Sequence, residues 1–169
     1  MKFPYGLSDF GTLITERYWY QDRTDRLADL ETVGRQLIFL RPRRFGKSLL
    51  LSMLEHYYDL NRAAQFEALF GGLAVGHQPT ALHHQYFVLK WDFSLIPAHG
   101  EMADIEAALH QHINDCIRQC VADYHTQWTR DIVLHPHNAI SSFQSLLGAV
   151  QATPHKLYLL IDEYDNFAN

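Results

Sequence analysis

The sequence predicts an α/β fold built on a parallel sheet. Three apolar runs with strand character, at residues 36–40, 86–93 and 156–161, alternate with segments whose apolar residues recur at helical spacing. This alternation is typical of parallel sheets that are covered by helices. The 169 residues are enough for one domain with a buried core, or for part of a larger domain.

The composition excludes several classes of protein. Apolar residues make up 47% of the chain and charged residues 20%, which is typical of a folded protein and not of a disordered one. The net charge of −5 argues against a protein that binds nucleic acid over its whole surface. No run approaches the ~20 apolar residues of a membrane span, and the first residues lack the apolar run of a signal peptide. We therefore expect a cytoplasmic protein that does not enter a membrane.

Helix boundaries are predicted from capping residues and from periodicity. Ser8 is expected to cap a short helix that ends near Glu16, and Thr24 to cap a helix over 25–32. A short strand is expected at 18–20. The other predicted helices cover 48–60, 63–70, 101–124 and 139–151, and residues 73–85 are predicted to form a loop.

A candidate phosphate-binding loop lies between the first strand and the helix that follows it. Gly46 would let the backbone approach an anion closely, at a helix N-terminus that carries partial positive charge. Lys47 would reach the terminal phosphates, and the Ser48 hydroxyl would ligate Mg²⁺. The candidate nucleotide-binding residues are Arg43, Arg44, Phe45, Gly46, Lys47, Ser48 and Leu49.

An acidic pair follows the last predicted strand. Asp162 and Glu163 come directly after the apolar run at 157–161, so they would lie at the carboxyl edge of a parallel sheet, where α/β proteins bind ligands. Asp162 would hold Mg²⁺, and Glu163 would orient or deprotonate the attacking water. Glu163 and Lys47 are the two candidate catalytic residues.

The two signals are individually weak but strengthen each other. A Gly-Lys-Ser string often occurs by chance, whereas a strand before it, a helix after it and a later acidic strand end make up a nucleotide site. The general pattern requires glycine where Arg41 stands, which is a departure. The prediction is a three-layer P-loop NTPase sandwich with a parallel sheet. Because the chain stops soon after an apolar strand, residues 1–169 are expected to be the N-terminal portion of that domain, truncated after the second acidic strand.

Five strings make the chain recognisable as similar to the bacterial AAA-ATPase-like family. They are PYGLSDF at 4–10, YWYQDRT at 18–24, LFGG at 69–72, LIDEYD at 160–165 and RPRRFGKS at 41–48. The family's own loop has arginine at the position of Arg41, so Arg41 departs only from the general P-loop pattern. The family's usual Asp-Lys-Thr string is here Asp22-Arg23-Thr24. Family members typically carry a nuclease-like domain after the ATPase-like one, and none of these residues matches a nuclease site.

The resemblance implies ATP binding and hydrolysis, and the residues imply Mg²⁺ as the cofactor. A switch that binds ATP with little turnover is the alternative, and a P-loop kinase is a weaker one. Nucleic acid contact is expected only through a region beyond these residues, while a protein partner or a homo-oligomer stays open. Because sensor residues and any arginine finger normally follow the second acidic strand, residues 1–169 alone are expected to hydrolyse ATP poorly.

Four further groups of residues have alternative interpretations. The arginines around Arg43 are assigned to nucleotide or structural contacts ahead of nucleic acid. His112, Cys116 and Cys120 share a helix face, which is more typical of a core stripe than of a metal site. Asp92 is expected to cap the segment after its strand in preference to touching Mg²⁺, and the aromatic residues at 18–20 to join the core in preference to stacking on adenine.

The acidic pair also predicts a strand order. P-loop proteins with a catalytic glutamate beside the aspartate usually place a later strand between the two signal-bearing strands. Strand 36–40 and strand 156–161 should therefore be parallel without sharing hydrogen bonds, about two strand spacings apart. Strand 86–92 should pair directly with strand 156–161.

Overall fold

A computed structural model describes residues 1–42, 44–97 and 99–166. The chain forms two compact units, Met1–His84 and Gln85–Asn169. The first unit is helical, and the second contains two parallel strands with helices. The α/β class is thus supported in its coarse form, whereas the three-layer sandwich stays a prediction.

The first unit contains five helices among its described residues. They are α1 (Phe10–Thr15), α2 (Leu27–Val33), α3 (Lys47–Tyr58), α4 (Phe66–Phe70) and α5 (Ala74–His77), with 3₁₀ turns at Thr24–Arg26 and Leu60–Gln65. Helix α1 begins after Asp9, whose carboxylate accepts a hydrogen bond from the Thr12 amide at 2.7 Å. The predicted cap, Ser8, is therefore wrong by one residue.

Aromatic side chains form the core of the first unit. Phe10 stacks on Phe70 with ring centroids 5.1 Å apart, and Tyr57 meets Phe70 edge-on at 5.4 Å. These three rings are fully buried, and Met53 and Leu54 bring the predicted apolar face of α3 into the same core. Residues 18–20 form no regular strand, and Tyr18 forms an isolated parallel β-bridge with Lys2.

The Asp22-Arg23-Thr24 string has a structural role in the first unit. Both the Thr24 amide and the Thr24 hydroxyl donate hydrogen bonds to Asp22 Oδ1 at 2.8 Å, and the Ala74 amide donates one to Asp22 Oδ2 at 2.8 Å. The Thr24 hydroxyl also accepts a hydrogen bond from the Val75 amide at 3.1 Å. Thr24 is fully buried within a 3₁₀ turn, so its predicted role as a helix cap is wrong. These bonds fasten residues 22–24 to the start of α5.

Replacing Asp22 by alanine is expected to lower the free energy of unfolding by about 2–3 kcal/mol, because three donors lose a charged acceptor. Burial alone would raise the pKa of Asp22, but the hydrogen bonds from Thr24 and Ala74 outweigh it and lower that pKa. The stabilisation is therefore present above the carboxyl's unfolded pKa and is lost as pH falls towards the lowered value. Urea unfolding of the wild type and of Asp22→Ala measures this loss of stability. The control is Asp25→Ala at an exposed neighbour, which should cost less than about 0.5 kcal/mol.

A buried histidine lies near the C-terminal end of α3. The His56 ring nitrogen Nδ1 is 3.1 Å from the Arg62 guanidinium, which also binds Glu55 at 2.6 Å and Asp59 at 3.1 Å. The second ring nitrogen, Nε2, lies 3.9 Å from Asp9 Oδ2. Burial and then the Arg62 charge lower the pKa of His56, against the opposing pull of Asp9 and Asp59. A neutral His56, with Nδ1 accepting from Arg62, fits this environment.

The first unit is expected to lose stability in mild acid through His56. Its folded pKa lies below its unfolded value of about 6.5, so the unfolded chain binds more protons and the free energy of unfolding falls as pH drops below that value. Urea midpoints measured on either side of about pH 6.5 should therefore differ more for the wild type than for His56→Gln. The exposed His137→Gln variant serves as the control and should keep the wild-type pH dependence. An unchanged pH dependence in His56→Gln would contradict the assignment.

Residues 36–40 do not form the predicted strand. Within the described residues they adopt no regular secondary structure, and Leu37, Ile38, Phe39 and Leu40 are between 44% and 78% exposed. The apolar run indicates a preference for burial, but a strand also needs a neighbouring backbone to take its N–H and C=O groups. That neighbour is not set by the run itself, so the predicted strand is wrong here, and its predicted spacing from residues 156–161 stays a prediction.

The second unit is a β-α-α-β arrangement. Strand β1 (Tyr86–Asp92) is followed by a 3₁₀ turn at Phe93–Leu95, helices α6 (Met102–Asp123) and α7 (Ala139–Gln151), and strand β2 (Lys156–Asp162). The two strands pair in parallel, with Tyr86 opposite Lys156 and Asp92 opposite Asp162. The predicted direct pairing of 86–92 with 156–161 is confirmed. In the described residues the sheet has these two strands.

Helix α6 and the residues after it cover one side of β1. The Phe87 ring is fully buried and lies 5.0 Å from the Tyr124 ring and 4.6 Å from the Trp128 ring. The Tyr124 hydroxyl accepts a hydrogen bond from the Val88 amide at 2.9 Å. Helix α7 begins after Asn138, whose side chain accepts a bond from the Ser141 amide. None of the helices described is long and apolar enough to cross a membrane.

Candidate functional site

The candidate phosphate loop enters α3 through left-handed backbone. Arg44 has φ 67° and Gly46 has φ 77°. A left-handed conformation costs glycine little but is unfavourable for residues with a Cβ atom, which explains the glycine at this position. Phe45 between them is 68% exposed. Arg43, also predicted to contact nucleotide, lies outside the described residues.

Within the described residues, the first amide groups of helix α3 have no recorded acceptor. Its first residues are Lys47, Ser48 and Leu49, and the first bond back to a described loop residue is from the Leu50 amide to the Gly46 carbonyl at 2.9 Å. No side chain of the described residues caps this end. The first amides of a helix have no acceptor within it and carry partial positive charge. The loop therefore places amide donors and a lysine at one end of α3.

Space above Gly46 is open. A Cβ atom built there would meet nothing within 4 Å, so the glycine is required by its φ angle and not by crowding. Lys47 and Ser48 are partly buried. Lys47 has no ion pair among the described residues. Its ammonium group is thus free to neutralise a bound anion.

The acidic pair ends β2 with two different environments. Asp162 is 6% exposed, and its Oδ1 accepts a hydrogen bond from the Glu163 amide at 3.1 Å. Glu163 is exposed and has a left-handed φ of 52°. The change in backbone conformation ends the strand and turns the chain at Glu163. A carboxylate that is buried and one that is open to water can serve different chemical roles.

Asp92 lies opposite Asp162 in the parallel register. Paired residues of neighbouring strands project from the same side of a sheet, so the two carboxylates leave the sheet on one face. Asp92 Oδ1 accepts a hydrogen bond from the Ser94 amide at 3.0 Å and thereby caps the 3₁₀ turn after β1. The capping role predicted for Asp92 is confirmed.

Asn166 joins the two turns that follow the strands, a contact that the sequence does not predict. Its side-chain Nδ2 donates hydrogen bonds to the Phe93 carbonyl at 2.8 Å and to the Ile96 carbonyl at 2.9 Å. Its backbone amide donates one to the Glu163 carbonyl at 3.0 Å. A single asparagine after an acidic string carries no signal of this kind, because both acceptors are backbone groups some seventy residues earlier in the chain.

The helix face with two cysteines forms a packing stripe. His112 Nε2 lies 3.6 Å from Cys116 Sγ, and Cys120 is buried one turn further on. Burial, with the negative charges of Asp115 and Asp92, raises the pKa of Cys116 and favours the neutral thiol. The described residues contain no group of three or more His, Cys, Asp or Glu side chains that could hold a metal ion.

The candidate residues fall into two groups within separate units. The phosphate loop, with Gly46, Lys47 and Ser48, belongs to Met1–His84, and the acidic pair belongs to Gln85–Asn169. Within the first unit the structure joins a loop to a helix N-terminus. Within the second it joins Asp92, Asp162, Glu163 and Asn166 at the carboxyl ends of two paired strands.

A family model described as Predicted AAA-ATPase matches residues 4–169, which is nearly the whole chain. No curated protein and no solved structure matches the chain.

Proposed function

Because the chain belongs to the AAA-ATPase-like family, we propose that it binds ATP with Mg²⁺ and hydrolyses the terminal phosphate. Family membership itself indicates an ATP-related function. The observation that carries the finer proposal is the uncapped start of α3, behind a left-handed Gly46 and headed by Lys47. Amide donors, a helix dipole and a free lysine at one point are the chemistry of a phosphate site.

The residues present fit the phosphates. Open space at Gly46 lets an oxyanion approach the amides of residues 47–49. Lys47 would neutralise the terminal phosphates, and Arg44 adds positive charge at the loop. Charge-assisted hydrogen bonds of this type are about twice as strong as neutral ones.

The donor chemistry also fits Mg²⁺. The proposed ligands are the Ser48 hydroxyl and the Asp162 carboxylate, and oxygen atoms are the ligands that Mg²⁺ prefers. Mg²⁺ usually keeps several waters and takes few protein ligands beside substrate phosphates, which is consistent with a small protein contribution. The buried Asp162 accepts one hydrogen bond at Oδ1, from the Glu163 amide, and its Oδ2 has no recorded donor among the described residues. When bound, the ion would neutralise charge that develops on the phosphates.

Glu163 is proposed to orient and deprotonate the attacking water. Its exposed position, one residue after the buried Asp162, leaves its carboxylate accessible to solvent. The proton of the water would pass to the Glu163 carboxylate as the oxygen attacks the terminal phosphorus and the bond to ADP breaks. Positioning and charge stabilisation contribute most of the catalysis in this reaction class.

Two measurements on the full-length protein test the proposal. Isothermal titration should show Mg-ATP binding that weakens when Mg²⁺ is chelated, and single-turnover assays should release phosphate. Binding without phosphate release would support an ATP-gated switch in place of an ATPase. No binding of Mg-ATP would overturn both functions.

A further inference from the structure

The turn that carries Glu163 is unfavourable in isolation. A glutamate with φ 52° lies in the left-handed region, which side chains with a Cβ atom adopt at a cost. Such conformations persist where surrounding contacts hold them, and they concentrate at functional sites. The turn closes through the hydrogen bond from the Asn166 amide to the Glu163 carbonyl at 3.0 Å. Something must therefore hold residues 163–166 in this shape.

Asn166 supplies an attachment outside the turn. A carboxamide NH₂ group has two hydrogens, and here both are used on the carbonyls of Phe93 and Ile96. Those carbonyls belong to the turn that Asp92 caps at the end of β1. The carbonyl of Phe93 also accepts a bond from the Ile96 amide at 3.2 Å, so the acceptor is itself held in place. The turn after β2 is thereby fixed to the turn after β1.

We propose that Asn166 is a positioning residue that sets the location of Glu163 at the carboxyl edge of the β1–β2 pair. This role rests on the proposed function of Glu163. Asn166 acts through the backbone of residues 163–166 and makes its contacts with protein carbonyls. Aspartate at position 166 would place carboxylate oxygens against two carbonyl oxygens, and alanine would remove both donors. No other side chain of this size offers two N–H donors.

The test uses Asn166→Ala and Asn166→Asp in the full-length protein, each alone and combined with Glu163→Gln. Hydrogen exchange of the peptide that covers 160–166 reports on the turn independently of activity. We expect the amide exchange rate of this peptide to rise by about tenfold or more in both variants. Without the two Asn166 hydrogen bonds, the turn opens more easily to solvent. A peptide covering α1 should exchange as in the wild type. Urea unfolding checks that each variant is folded.

The kinetic expectation separates positioning from general damage. In Asn166→Ala, kcat should fall by about tenfold or more while the affinity for Mg-ATP changes by less than about twofold, since misplacing a base affects the chemical step. In the Glu163→Gln background, adding Asn166→Ala should lower kcat no further, because residues that act as a unit are not additive. Asn166→Asp should lower kcat more than Asn166→Ala does.

Three results would overturn the positioning role. Unchanged exchange over 160–166 in both variants would show that Asn166 does not hold the turn. An undiminished kcat in Asn166→Ala, alongside a strong defect in Glu163→Gln, would remove Asn166 and leave the proposed function standing. Wild-type turnover in Glu163→Gln would instead remove the proposed base, and the positioning role with it.

Discussion

Lys47→Ala is expected to weaken Mg-ATP binding by roughly ten- to a hundredfold, which corresponds to about 1.5–3 kcal/mol for the loss of a charge-assisted hydrogen bond. The ammonium group has no ion pair in the described part of the chain, so its proposed partner is the nucleotide. The fold should be retained, because alanine is the best helix former and Lys47 starts α3. Titration with Mg-ATP measures the affinity. The free energy of unfolding, measured with urea, should change by less than about 0.5 kcal/mol.

The matched control for this variant is Lys156→Ala. Lys156 is exposed and opens β2, at the opposite end of that strand from Asp162. Lys156→Ala removes the same charge from the chain as Lys47→Ala, so a general electrostatic effect would weaken Mg-ATP binding in both variants. Equal affinities for Lys47→Ala and the wild type would exclude Lys47 from the site. Equal losses in the two variants would reduce its role to net charge.

Glu163→Gln is expected to leave Mg-ATP binding within about twofold of the wild type and to lower single-turnover hydrolysis by about a hundredfold or more, the usual range for losing a general base. Glutamine keeps the size of the side chain and the left-handed backbone that the turn already imposes. It removes only the ability to accept the proton. Single-turnover kinetics of the full-length protein give the rate of the chemical step.

Glu101→Gln is the control for the glutamate. Glu101 is exposed before α6 and makes no side-chain cap bond to that helix. It should hydrolyse ATP at the wild-type rate. Wild-type hydrolysis by Glu163→Gln would show that another group activates the water. A parallel loss of binding and hydrolysis would instead point to a structural role for the turn.

The second unit was predictable because its signals are local. The apolar runs predicted at 86–93 and 156–161 correspond to the paired strands Tyr86–Asp92 and Lys156–Asp162, and the helix over 139–151 has the predicted bounds. A long helix with an apolar stripe between two such strands favours a parallel pair, since the chain must cross back to the same end of the sheet. The cap at Asp92 follows from the same local chemistry, in which a carboxylate accepts from an amide two residues on.

The first unit shows where local signals are insufficient. Residues 36–40 have the composition of a buried strand, yet they are exposed and without regular structure. Two capping predictions also failed. Ser8 and Asp9 are equally suitable as caps by residue type, and Asp9 caps the helix. The Thr24 hydroxyl instead donates a hydrogen bond to Asp22 and accepts one from the Val75 amide. For Thr24, one of these partners, Val75, lies 51 residues away in the chain.

The sequence by itself determined the candidate chemistry of this protein: a glycine and a lysine at a helix start, and an acidic pair at a strand end. Residue type and short-range order are enough for this, because a phosphate site needs a flexible backbone and a cation next to a helix N-terminus. Only the tertiary structure decided that Asp22 fastens α5 and that Asn166 holds the turn of Glu163. Those features are hydrogen bonds between backbone and side-chain groups some fifty to seventy residues apart, whose meeting depends on how the whole chain packs.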